Sequence, residues 1–330
     1  MDRRNKMLLS KKKIRALVAI GMVMTTLVGC GSKNDIASTN KSLNELVITH
    51  VTSPLNVPSI LQKNKNIFTE EFKKNGQNIE VKYAEITSGA EQTQALASGD
   101  VDVLYAVGGT SVILSAANGA DIKVLNMYSR SPKAFCLYAN DESIKSAEDL
   151  RGKTIAGPTG TNLHQLLVAY LDKAGMTLED VNYVNMSIPD AKAALDGGSI
   201  DAALVAGPTA YVAKQQGHHL VTDGEGLTDA IIAVAVREDF YNEHKDVIEQ
   251  FLNAQKTIIK DMEDNYEETM KIVAEELDLE VEAVKEMYEQ YDFNTEITEE
   301  DKKAFQNVAD FMYEAEMIEK ELDTSSLYLQ

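Results

Sequence analysis

The stretch Ala95-Leu96-Ala97-Ser98-Gly99-Asp100-Val101-Asp102 recurs 99 residues further on as Ala194-Leu195-Asp196-Gly197-Gly198-Ser199-Ile200-Asp201. Ala, Leu, Gly and Asp hold the same positions, and Val is replaced by Ile. The register extends outward: Gly108 matches Gly207, Thr110 matches Thr209, and Ser88 matches Ser187. Each copy reads as the end of a helix, a glycine turn and the start of a buried strand. A duplication at this spacing predicts two lobes of one architecture.

Around the repeat, short apolar runs alternate with helical stretches from residue 46 to about 236. Strands are predicted at 46–49, 79–83, 101–105 and 122–127, with helices at 57–65, 90–97 and 110–117. The rhythm restarts at Lys153, with strands at 154–156, 181–184 and 200–204, and helices at 163–174, 191–195 and 210–215. A last strand begins at Leu220. This alternation predicts an α/β fold with crossover helices. Beyond Val236 the sequence turns helical and highly charged, with helices predicted over 239–263, 266–276, 281–288 and 299–320. Val247, Phe251, Ala254, Ile258 and Met262 form one apolar stripe, and Thr298 with Asp301 resembles a capping box with Asp in place of Glu.

The 330 residues carry 32 Lys and Arg against 52 Asp and Glu, a net charge of −20 that argues against nucleic-acid binding. The charge is unevenly spread. Residues 1–29 hold seven bases and one acid, residues 30–237 hold 17 bases and 23 acids, and residues 238–330 hold 8 bases and 28 acids. The acidity therefore belongs to the C-terminal third. No D-x-[DN]-x-[DN]-G calcium loop occurs there, so the acids read as solvated helix faces.

Residues 1–29 combine a basic start with an uncharged run over 16–29, too short for a span of about 20 residues, and read as a secretory signal. Leu27-Val28-Gly29-Cys30 looks like a lipobox, which predicts a lipid on Cys30 and a flexible tether over 30–43. Cys136, in an apolar run, reads as a small core residue rather than a nucleophile.

Motifs for catalysis are missing: there is no G-x-S-x-G, H-E-x-x-H, C-x-x-C or G-x-x-x-x-G-K-[ST]. The histidines, His50, His164, His218, His219 and His244, fall at no familiar metal-ligand spacing. No catalytic residue, metal site or cofactor is predicted. What recurs is a strand, a loop of small, hydroxylated or glycine residues, and a helix. The loops contain Ser53, Leu55 and Asn56, then Ser88 and Gly89, then Gly108, Gly109 and Thr110. In the second copy they contain Thr159, Gly160, Thr161 and Asn162, then Ser187, then Gly207 and Thr209. Such residues are good N-caps, and they also leave helix N–H groups and the positive end of the helix dipole facing a cleft. Several of these ends together can hold an anion without Lys or Arg.

These residues resemble the solute-binding proteins of ABC importers, of the sulfonate/taurine/nitrate type that includes thiamine-precursor binders. The resemblance is carried by the lipobox, Ser53-Pro54-Leu55-Asn56-Val57-Pro58, Gly99-Asp100-Val101-Asp102 and the run from Asp149 to Leu167. It implies a two-lobed type II periplasmic-binding-protein fold, each lobe a mixed sheet flanked by helices. Lobe one would take 44–131 plus 229–330 and lobe two 132–228, with Ser129-Arg130-Ser131-Pro132 and Thr228-Asp229 near the hinges. It further implies a monomeric, lipid-anchored receptor at the extracytoplasmic membrane face, with permease and ATPase subunits as partners. Where many members carry Trp-Asp/Glu-Pro, this chain has Ala206-Gly207-Pro208. The ammonium of a ligand such as taurine would lack its carboxylate there, which leaves a small anion, sulfonate-like, or a mostly neutral aromatic ligand. His164 would face the cleft or the core. The competing readings are an enzyme on the same fold and an interaction or sensory lipoprotein.

Overall fold

The structure, a computed structural model, describes residues 43–329. The signal segment, Cys30 and the tether up to residue 42 lie outside the described residues.

Two sheets of five strands organise the chain. The first contains β1 (Glu45–Thr49), β2 (Glu80–Ala84), β3 (Val103–Gly108), β4 (Lys123–Arg130) and β10 (Ile231–Val236), in the order β2-β1-β3-β10-β4. The second contains β5 (Phe135–Ala139), β6 (Thr154–Gly157), β7 (Asn182–Asn185), β8 (Ala202–Ala206) and β9 (His219–Asp223), in the order β7-β6-β8-β5-β9. Each sheet has three parallel strands at one end. In each, an antiparallel strand is inserted before the last: β10 between β3 and β4, and β5 between β8 and β9. The sheets are thus mixed, as the resemblance implied.

The repeat has a physical job in both sheets. The Asp102 carboxylate accepts from the Val47 N–H at 2.8 Å, and the Asp102 N–H donates to the Val47 carbonyl at 2.9 Å. Asp201 makes the same pair with Thr154, at 2.8 and 2.9 Å. Each Asp locks the strand entering β3 or β8 to its central neighbour. Ser88 caps α3 (Gly89–Ser98) and Ser187 caps α6 (Ile188–Asp196), accepting from the Glu91 and Asp190 N–H groups.

Helices α1 (Val57–Lys65), α2 (Ile67–Lys74) and α9 (Lys245–Asp264) cover one face of the first sheet, and α4 (Gly109–Ala117) and α12 (Glu299–Glu314) the other. Helix α5 (Asn162–Asp172) covers one face of the second sheet, and α6 with α7 (Pro208–Gln215) the other. Leu46, Ile48 and Tyr105 of the first sheet and Leu137, Ile155 and Leu204 of the second belong to one continuous apolar core. The predicted α9 stripe is buried throughout, and Phe251 stacks on Phe68 of α2 at 4.5 Å. Glu249, Glu263 and Glu267 face solvent, so the acidity lies on the outer side. The capping box of Thr298 and Asp301 is formed in full.

Four details differ from the sequence reading. Helix α2 follows α1 after a single residue, Asn66, whose left-handed backbone (φ 54°) starts a new helix without a longer break. Strand β10 is an apolar run whose partners lie more than 100 residues upstream, so no local alternation marks it. The helix predicted over 239–263 is split into α8 (Glu238–Glu243) and α9 by His244, a buried, non-helical residue packed on Phe240. Helix α12 ends at Glu314 instead of running to 320, because the chain turns at Glu316 (φ 57°) and the Met317 N–H bonds back to Met312.

Candidate functional site

Two helix N-termini from different sheets meet. Strand β3 runs directly into α4 through Gly108, an extended cap with no side chain to offer, so α4 begins uncapped. Helix α5 begins at Asn162 after Thr161, whose hydroxyl donates to the Pro158 carbonyl at 2.8 Å and so does not cap the helix. Between the two, the Thr110 hydroxyl donates to Asn162 Oδ1 at 3.1 Å. Asn162 Nδ2 donates to the Ile231 carbonyl at 3.3 Å. Thr110 and Asn162 are both buried, and they join α4 and β10 of the first sheet to α5 of the second.

A second meeting point lies at the β1–α1 loop. Asn56, 2% exposed, donates to the Val51 and Ser53 carbonyls at 2.9 and 3.1 Å and folds the loop over itself. Leu55 is buried within the core, and the Pro54 backbone rests on Gly207, the cap of α7. Helix α1 itself is not an open donor end. The Ser59 N–H donates to the Tyr128 hydroxyl at 3.1 Å, and Pro58 has no N–H.

The structure therefore sorts the predicted residues. It brings Gly109, Thr110 and Asn162 together, and places Gly160 against Leu114 of α4. Ser53, Leu55 and Asn56 gather with Gly207. Ser88 is exposed and serves its own helix, and Gly89 packs on Ser111, so this loop is a capped helix start. Thr159 is exposed, with its N–H held by Asn185, and Thr209 is half-buried on α7.

His164 sits on the first turn of α5, buried, with its ring stacked on Tyr183 at 5.0 Å. Its Nδ1 accepts from the Gly160 N–H at 3.2 Å, which assigns the proton to Nε2, a buried donor without a protein partner. Burial lowers its pKa, so the ring is neutral at pH 7. The sequence reading missed His50. It follows β1 directly, is 4% exposed, packs edge-on against Tyr83 at 5.7 Å, and has both ring nitrogens unpartnered. Burial, aided by the nearby Lys63 charge, pushes its pKa down to about 4. Its place at the carboxyl end of a central strand, where open α/β sheets bind ligands, was the available signal.

Arg130, at the end of β4, is already neutralised. Arg130 donates to both carboxylate oxygens of Asp301 at 2.6 and 2.5 Å, and to the Asn294 and Glu296 carbonyls. Cys136 is buried on β5, and burial pushes its thiol up to about 12, consistent with a core residue. Among the described residues no group of three His, Cys, Asp or Glu is placed to hold a metal. The site is thus built from helix dipoles, amides and neutral side chains, which suit an anion with several acceptor oxygens.

The paired mixed sheets, crossed twice by the chain, are the fold of a periplasmic solute-binding protein. A structure of similar fold is "The alkanesulfonate-binding protein SsuA from Xanthomonas axonopodis pv. citri bound to MOPS", with a TM-score of 0.78 at 20% identity over 87% of this chain and 98% of that one. The NMT1/THI5-like family model matches residues 72–269, and the chain belongs to that family. The "Putative aliphatic sulfonates-binding protein" of Bacillus subtilis (strain 168) is 28% identical over 318 residues, 95% of this chain and 94% of the relative. The taurine-binding periplasmic protein of Escherichia coli (strain K12) is 31% identical over 175 residues, 52% of this chain and 54% of the relative. These relatives are named as binding proteins.

Proposed function

We propose that this protein is the extracytoplasmic solute-binding component of an ABC importer, which captures a small sulfonate-like anion and delivers it to the permease and its ATPase. The observation that carries the reading is the junction of two uncapped helix N-termini, α4 and α5, through Thr110 and Asn162. In this reading, residues 44–131 plus 229–330 form one lobe, residues 132–228 the other, and the ligand lies in the cleft between them. The contacting residues are Ser53, Leu55, Asn56, Gly109, Thr110, Gly160, Thr161, Asn162, His164, Gly207 and Thr209, with Ser88, Gly89 and Thr159 at the rim. The names of the relatives support the sulfonate class. Gly207 offers no carboxylate to an ammonium, which favours alkyl sulfonates over taurine. Cys30 in Leu27-Val28-Gly29-Cys30 anchors the monomer through lipid.

Titration calorimetry and thermal shift with ethanesulfonate, taurine, nitrate and a pyrimidine test this function. Ethanesulfonate at 100 times its Kd is expected to stabilise the fold by about 2.7 kcal/mol. The proposal fails if none of the four binds, and its ligand class fails if taurine binds more tightly than ethanesulfonate.

A further inference from the structure

At one point the two halves meet backbone against backbone. Gly207 is buried, with φ 54° and ψ −129°, and its N–H is tied to the Ala134 carbonyl at 3.1 Å. A Cβ at this position would overlap the Pro54 carbonyl and stand 2.7 Å from the Pro54 Cα. The obstacle is main chain, which cannot swing aside as a flexible side chain could. The loop carrying Pro54 is also held from within by the two bonds of Asn56. Gly207 is therefore fixed by the second sheet and Pro54 by the first, and neither yields locally.

We propose that Gly207 sets how far the two halves close. Its lack of a side chain lets the Pro54 loop dock, and docking brings the α4 and α5 ends within reach of the Thr110–Asn162 bond. The inference rests on the binding function proposed above for its effect on affinity, though not for its effect on closure. Any larger residue at 207 acts as a wedge. It leaves each half folded and keeps the binding arrangement from forming. Gly207 acts on closure through the approach of the loops, and any contact it makes with a ligand is through its backbone alone.

The test separates wedge from strain by comparing Gly207→Ala with Gly217→Ala. Gly217 lies just beyond the other end of α7, with φ 84° and nothing within 4 Å of an added Cβ, so an alanine there meets a positive φ without the obstacle. Closure is read by a short bis-maleimide between Lys214→Cys on α7 and Glu286→Cys on α11 (Val281–Tyr288). These two exposed side chains pair at 2.7 Å in the structure. Cys136 is buried and does not compete. Cross-link yield is expected to fall several-fold in Gly207→Ala and to hold in Gly217→Ala. Ethanesulfonate affinity is expected to fall about tenfold or more in the first alone, the equivalent of about 1.4 kcal/mol. Equal cross-link yields in the two variants overturn the proposal. If wild type does not bind ethanesulfonate, the ligand class falls, and the cross-link comparison still decides closure.

Discussion

His50 makes the stability of this protein depend on pH in a calculable way. Its imidazole is 4% exposed, neither ring nitrogen has a protein partner, and its pKa is lowered from 6.5 to about 4. The unfolded chain takes up a proton near pH 6.5, whereas the folded chain resists until about 4. Between those values the unfolded state binds more protons, so acidification favours unfolding. The contribution is complete above 6.5 and is lost as pH falls towards 4. At about 1.4 kcal/mol per pH unit, the gap comes to roughly 3 kcal/mol. Urea unfolding of wild type and His50→Leu, followed by circular dichroism from pH 7.5 to 4, isolates this group from the carboxylates and from His164. The variant should gain on wild type by about 3 kcal/mol across the range, nearly all of it below pH 6.5. Parallel pH profiles in the two proteins would refute the reasoning, because a residue with no proton to take up would then behave as His50 does.

Further outcomes are expected elsewhere. Arg130→Ala leaves Asp301, 4% exposed, without its bidentate partner and should cost about 3–5 kcal/mol by calorimetry. Arg130→Lys should recover only part of this, because an ammonium cannot engage both carboxylate oxygens. Asn162→Ala strands the Thr110 hydroxyl and the Ile231 carbonyl; it should cost about 1–3 kcal/mol in chemical unfolding and weaken ethanesulfonate binding measured by titration calorimetry. Cys136 should react with a thiol reagent at neutral pH only as fast as the protein unfolds, its thiol being buried and pushed up to about 12. Mass spectrometry of alkylated protein at graded urea concentrations checks this.

The duplicated architecture was legible because its determinants are local. Asp102 and Asp201 sit three residues past Gly99 and Gly198, and Ser88 and Ser187 sit three residues before the N–H groups they cap. The charged tail was legible too, since a stripe from Val247 to Met262 at helical spacing can bury only one face. What stayed hidden depends on distant parts of the chain coming together. Nothing near Thr110 announces Asn162, and nothing near Pro54 announces Gly207, 153 residues away. The caps of α3 and α6 looked the same in sequence as the open ends of α4 and α5. They differ because the Thr161 side chain turns away from α5 and Gly108 has no side chain to offer α4.

The placement of β10 also bears on how the chain is made. Strand β4 finds its place in the first sheet only beside β10, which lies about 100 residues downstream. The second sheet, by contrast, draws all its strands from the unbroken stretch 135–223. A polypeptide emerging amino end first can therefore complete the later sheet before the earlier one. The amino-terminal segment stays an open, unfinished edge until residues 231–236 arrive, so the half that is made first is the last to close its sheet.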